Sequence, residues 1–177
     1  MVSALDGIRV LDVTQGMAGA LATMFLSDHG ARVIRIEPAG GDPERREPGY
    51  RLWDRGKESV FLDLSAAISG TASIGPSSGT KAPDEEPRAI FERLVDGADV
   101  LVESYSPSSP YQELVDYDRL SSINPRLVHC SITAYGPTGP LKDEPAENEE
   151  QLDGQRRYRF QQHRFVDNRE VDDQVRD

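Results

Sequence analysis

Cysteine is almost absent: Cys130 is the one example in 177 residues. No disulfide can form within the chain, which suits a reducing compartment, and the expected location is the cytoplasm. Cys130 lies in an apolar run and reads as a small core residue. Basic residues are short, 20 Lys and Arg against 31 Asp and Glu, for a formal net charge of -11. That balance argues against a nucleic-acid or anionic-membrane surface, although a local nest of amides or a few cations would still accept an anionic ligand. No apolar run approaches membrane-spanning length, and the N-terminus carries no basic-plus-apolar signal. Also missing are a Walker lysine loop, zinc-ligand spacing, a Gly-x-Ser-x-Gly elbow and internal repeats. His29, His129 and His163 are scattered, and none reads as catalytic. No metal ligand set is expected.

What is present begins with Gly7 to Glu37. Ile8, Val10, Leu11 and Val13 form a short apolar run rich in β-branched residues, as suits a strand covered on both faces. A glycine-containing loop, Thr14 to Gly19, follows. Ala18, Leu21, Ala22, Met24, Phe25 and Leu26 then share one broad helical face. Gly30 stands where a left-handed residue would end that helix, and His29 favours its negative end. Val33, Ile34 and Ile36 supply a second strand. The spacing predicts a right-handed βαβ unit, with ligands at the carboxyl ends of its strands, near Thr14–Gly19 and Glu37–Gly41.

Further on, the Pro/Gly/charge stretch after Glu37 reads as a mobile loop in which Arg45 and Arg46 are solvated or meet a ligand phosphate. Asp54 to Lys57 reads as a turn, and Ser59 to Leu64 as a third strand. Residues 66–86, rich in Ser, Gly and Pro, read as a flexible surface insertion. Pro87 should open a helix that buries Ile90, Phe91, Leu94 and Val95. Asp99–Glu103 and Leu127–Ile132 read as further strands, with two short helical pieces in Tyr111–Ile123 between them. The fold class is therefore α/β: an open, mainly parallel, Rossmann-like sheet with flanking helices. Residues 1–141 form one unit. Residues 142–177 form a divergent charged tail, expected to be irregular or disordered. The Gly16-x-x-Gly19 loop lacks the full dinucleotide fingerprint, but Glu37 ends the second strand where a ribose-binding acid would sit. A dinucleotide-binding reductase fragment therefore stays open as one reading.

Four segments resemble the family III CoA-transferases, the group of formyl-CoA:oxalate CoA-transferase, the carnitine CoA-transferases and α-methylacyl-CoA racemase. LDGIRVLDVTQGMAGALATMFLSDHGARVIRIEP is similar to the family's N-terminus. RGKESVFLDL resembles its N-R-x-K-x-S-hydrophobic-x-L-D-L segment. ADVLVESYSP resembles A-D-V-L-V-E-N-F-x-P-G. INPRLVHCSITAYGPTGPLKDEP resembles the segment that ends in G-P-x-x-D-x-P. The main interruption falls between Leu64 and Pro87.

The resemblance implies a large domain that binds coenzyme A across strand ends, with acyl-CoA and a carboxylic acid as substrates and no metal or redox cofactor. CoA would pass between acids through an aspartyl intermediate. It implies contacts at Met17 and Ala18 near the thiol arm, and at Leu62 to Ser65 near adenine. Ser104, Tyr105 and Ser106 would stand in the loop after the fourth strand, and Thr133 after the fifth. The chain departs from the family at Pro38, where an Arg is usual, and at Met17, where a polar residue is usual. At the end of the chain, Asp167, Asp172, Asp173 and Asp177 lack the surroundings of the family nucleophile. Glu147 takes the place of the racemase histidine. The catalytic residue is thus unknown. The chain reads as the N-terminal piece of a transferase, inactive alone, its tail the product of a frameshift, rearrangement or gene remnant. Alternatively it is a truncated CoA-binding module, or one that pairs with a homodimer mate or an intact paralogue.

Overall fold

The βαβ unit forms as the spacing predicts. In the computed structural model, residues 3–38, 40–69 and 86–144 are described, with the backbone of Gln151–Leu152, Gln155–Arg156 and Arg164–Val166. Strand β1 (Arg9–Val13) runs into helix α1 (Gly16–Asp28), and β2 (Arg32–Glu37) returns parallel to β1. The α1 exit follows the sequence. Gly30 has φ of +98°, and His29 Nδ1 lies 2.7 Å from the Phe25 carbonyl oxygen. After β2 come a 3-10 turn at Pro43–Arg46, the single helical turn α2 (Tyr50–Trp53) and β3 (Glu58–Phe61). Helix α3 (Leu64–Ser69) precedes α4 (Pro87–Asp96), β4 (Val100–Glu103), α5 (Gln112–Val115), α6 (Tyr117–Ile123) and β5 (Val128–Thr133).

The order across the sheet is β3-β2-β1-β4-β5, all parallel. Beyond β5 lies the short antiparallel strand β8 (Arg164–Val166), and β6 (Gln151–Leu152) pairs with β7 (Gln155–Arg156). These short strands fall in the stretch read from sequence as irregular. Glu147 and the four late aspartates lie outside the described residues.

Two departures concern segments read as mobile or flexible. The loop after β2 carries the 3-10 turn and α2 instead of running free. The Asp42 side chain caps the 3-10 turn by accepting from the Glu44 amide at 2.8 Å, a local bond that the Asp-Pro pair makes available. The segment at 66–86 begins as helix α3. Asp63 starts it by accepting from the Ser65 amide at 3.0 Å, and Ala66 and Ala67 are buried in the core. Residues 70–85 lie outside the described residues.

Strand alternation splits the core into two layers. On one face Leu11, Val13, Leu101 and Ile36 pack with Phe91 and Val95 of α4 and Leu120 of α6. On the other, Val10, Val33, Val102 and Ile132 meet Ala18, Ala22 and Leu26 of α1. Phe91, Leu101 and Leu120 are wholly buried, each contributing about 2 to 3 kcal/mol by area. Asn124 closes α4, its side-chain amide donating to the carbonyls of Ala98 at 2.7 Å and Val95 at 3.1 Å. Those carbonyls would otherwise be orphaned at the helix end. No described helix is long and apolar enough to cross a membrane.

Candidate functional site

The strand order reverses direction between β1 and β4, and in open α/β sheets the loops leaving such a pair diverge to form a crevice at the carboxyl ends. Two clusters of buried charge support its rim.

The first is built on Asp12, wholly buried in β1. One carboxylate oxygen accepts from the Thr14 amide at 3.0 Å and the Thr14 hydroxyl at 2.7 Å. The other accepts from the Thr23 hydroxyl at 2.6 Å and from Lys57 Nζ at 3.1 Å, with Arg35 at 3.4 Å. Arg35 reaches on to Asp42, and Lys57 donates to Asp54 at 2.8 Å and to the Ala20 carbonyl at 3.0 Å. Burial alone would raise the pKa of Asp12. The adjacent Lys57 and Arg35, then the two threonine hydroxyls, outweigh it and hold the carboxyl below its ordinary value. Lys57, read from sequence as a turn cation, is in fact buried.

The second cluster surrounds Glu37, the last residue of β2. Arg45 donates to both of its oxygens at 2.7 Å, the Asp42 amide adds a bond at 2.9 Å, and Ser59 also donates. These donors overcome desolvation and bring the Glu37 pKa down to about 2. Arg45 is therefore neither simply solvated nor a free phosphate ligand. Its guanidinium is held by Glu37 and lies over the rings of Tyr50 and Phe61 at 5.7 and 5.8 Å. Glu37 in turn is engaged by protein donors where a ribose-binding acid would have its oxygens open.

The residues singled out from sequence fall as follows. Met17 and Ala18 are half-buried in the first turn of α1, at the crevice. No side chain caps that helix and no acid stands in its first turn, so the first amides remain without an intrahelical acceptor. Ser104 joins the opposite wall to this one: its hydroxyl accepts from the Gln15 amide at 2.6 Å and donates to the Gln15 carbonyl at 3.0 Å. Ser106 begins the turn closed by the Ser109 amide at 2.9 Å. Tyr105 is buried and stacks on Tyr111 with ring centroids 4.8 Å apart. Leu62 belongs to the core, whereas Ser65 is exposed at the start of α3. Thr133 ends β5 with a buried hydroxyl that has no hydrogen-bond partner among the described residues. Ser104 thus lies against Gln15, the residue before the helical turn that carries Met17 and Ala18. Leu62 and Ser65 follow β3, on the far side of β2. Cys130 is half-buried beside the α1 layer.

Sequence reasoning did not single out Asp12, Arg35 or Glu103. A readable signal was available: Asp12 and Arg35 interrupt the apolar runs inside two strands, and the parallel register places them side by side. Glu103 ends β4, fully buried, with the Tyr105 amide donating to it at 2.6 Å. Burial raises its pKa, and the Ser131 and Tyr105 bonds offset this only in part.

The fold defines an open α/β sheet whose order reverses between β1 and β4. Comparison with known proteins specifies the class. The sequence profile of CoA-transferase family III matches residues 5–71 and 82–149, and the chain belongs to that family. It is 37% identical over 150 residues to the acetyl-CoA:oxalate CoA-transferase of Acetobacter aceti, covering 80% of this chain and 34% of the relative. It is 34% identical over 155 residues to the succinate–glutarate CoA-transferase of Agrobacterium fabrum, covering 78% of this chain and 34% of that one. A crystal structure of Rv3272 from M. tuberculosis superposes with a TM-score of 0.66 at 36% identity, over 83% of this chain and 36% of that one. A CAIB/BAIF family protein from Brucella suis gives 0.67 at 30% identity, over 83% and 38%. The chain spans about a third of the length of the curated relatives it matches.

Proposed function

We propose that this chain is the coenzyme-A-binding front of a CoA-transferase that moves CoA between carboxylic acids. The observation that carries the reading is the bond of Ser104 to the Gln15 backbone, which sets the loop after β4 against the start of α1 at the β1–β4 switch point of a chain whose profile match is to family III. On this reading the free first amides of α1 receive the thioester end of acyl-CoA. Leu62 to Ser65 lie toward adenine, Ser106 and Thr133 border the pantetheine path, and buried Tyr105 shapes its floor. An aspartate carboxylate then attacks the thioester carbon. The C–S bond breaks, CoA leaves as thiolate and a mixed anhydride remains. The thiolate attacks the aspartyl carbonyl, releases the donor acid and leaves an aspartyl-CoA thioester, which the acceptor carboxylate takes apart in the reverse sense. Neither a metal nor a redox cofactor enters this sequence.

The tail aspartates lack the surroundings of the family nucleophile, so these residues supply acyl-CoA binding and not the attacking carboxylate. The engagement of Glu37 by Arg45 and Ser59 favours CoA over a dinucleotide.

The test is a thermal-shift series with CoA, acetyl-CoA and NADH, followed by incubation with acetyl-CoA and oxalate. CoA and acetyl-CoA should raise Tm while NADH leaves it unchanged, with no oxalyl-CoA formed and no hydroxylamine-sensitive CoA attached. An NADH shift without a CoA shift would overturn the binding assignment. Turnover would overturn the assignment of the attacking carboxylate outside these residues.

A further inference from the structure

Asp12 has more partners than packing requires, and they lie in two directions. Toward the interior it meets Thr23, Lys57 and Arg35. Toward the crevice it holds one residue, Thr14, at both its amide and its hydroxyl. Thr14 is in turn wedged against the first turns of α1: a Cβ on Gly19 would lie 2.2 Å from the Thr14 Cβ. Between them Gly16 takes φ of +79°, a left-handed conformation open to glycine at little cost. The position of the α1 amides therefore follows from where Thr14 sits.

We infer that Asp12 is a positioning residue of the crevice, aiming the first amides of α1 by gripping the Thr14 hydroxyl. Lys57 and Arg35 keep the carboxylate ionised, so the grip is a charge-assisted hydrogen bond in a dry site. Arg35 also contacts Thr14, Oγ1 lying 3.4 Å from its guanidinium, and reaches Asp42. The loop after β2 and the loop after β1 are thereby set against the same carboxylate. Where ligand is concerned the inference rests on the proposed CoA reading, but the order of the loop itself does not depend on it.

Two isosteric substitutions separate positioning from plain stability. Thr14→Val and Thr23→Val each remove one hydroxyl bond to the same carboxylate, and the branched valine of the first variant keeps the contact with Gly19. Both should lower Tm by a similar amount. Thr14→Val should weaken CoA binding about tenfold, whereas Thr23→Val should leave it within about twofold. Without ligand, amide hydrogen exchange at Thr14 and Gln15, whose amides donate to Asp12 and Ser104, should quicken about tenfold in Thr14→Val and stay near the parent rate in Thr23→Val. Thr14→Ser, which restores the hydroxyl, should recover slow exchange. Equal exchange in the two valine variants, or no rescue by serine, would overturn the inference. If the parent chain binds no CoA, the proposed function falls while the exchange comparison still decides the role of Asp12.

Discussion

Glu37 and Glu103 occupy equivalent places, the last residues of β2 and β4, and both are fully buried. Their partners differ. Glu37 faces a guanidinium, a hydroxyl and an amide, and its pKa falls to about 2. Glu103 has the Tyr105 amide and Ser131, and burial pushes its pKa up. A strand ending in an acid is thus one sequence signal with two electrostatic outcomes. The deciding factor is whether the following loop brings back a cation. After β2 the loop returns Arg45, and Glu37 becomes a clasp for the segment over the sheet edge. After β4 the loop returns Tyr105 and Ser104, and the chain is tied to β1 instead.

The contrast can be pressed hardest at the carboxylate between these two. Asp12→Ala would leave Lys57 and Arg35 buried against reduced negative charge. It should cost about 3 to 5 kcal/mol, read by urea denaturation. A loss under about 1 kcal/mol would mean that water replaces the carboxylate freely. Next comes Glu37→Gln, expected to cost about 2 kcal/mol at pH 7; this is less than the full pKa shift implies, because Arg45 is half exposed. The sign is fixed by the lowered folded pKa. The Glu37 contribution is present above the ordinary value of 4.5 and is lost as pH falls from there toward about 2. The parent should therefore lose its advantage over Glu37→Gln across that window.

Glu103→Gln should behave in the opposite sense. A raised folded pKa stabilises the fold below the ordinary value of 4.5, and that contribution is lost as pH rises through the folded value. At pH 7 Glu103→Gln should match or exceed the parent in Tm, provided its amide oxygen still accepts from Tyr105. A Tm well below the parent at pH 7 would show that Glu103 has a cationic partner. The smallest effect is expected from Ser104→Ala, about 1 kcal/mol, for loss of the reciprocal bond with Gln15.

The elements carried by hydrophobic period were legible. β-Branched runs gave β1, β2, β4 and β5, Pro87 opened α4, and the Asn124-Pro125 pair followed α6. The two helices in Tyr111–Ile123 were legible as well. The 3-10 turn, α2 and the start of α3 were not, because composition marks those stretches as loop while single local bonds from Asp42 and Asp63 order them. The switch point between β1 and β4 follows from the order of strands and helices, and the loops after those strands were marked by family resemblance. The charged hub under it was missed because no period marks it. Asp12, Arg35 and Lys57 are separated in sequence, and Lys57 sits in a segment that reads as a solvated turn. Only the parallel register and the packing of α1 show that their charges are buried together.

The most direct test of the account is a calorimetric titration of CoA into the 177-residue chain, beside a Met17→Trp variant that fills the mouth of the crevice. Saturable one-site binding by the parent, abolished in Met17→Trp with its melting transition preserved, is the expected result. Absence of binding heat in the folded parent, or equal affinity in the two proteins, would contradict a CoA site at the β1–β4 switch point.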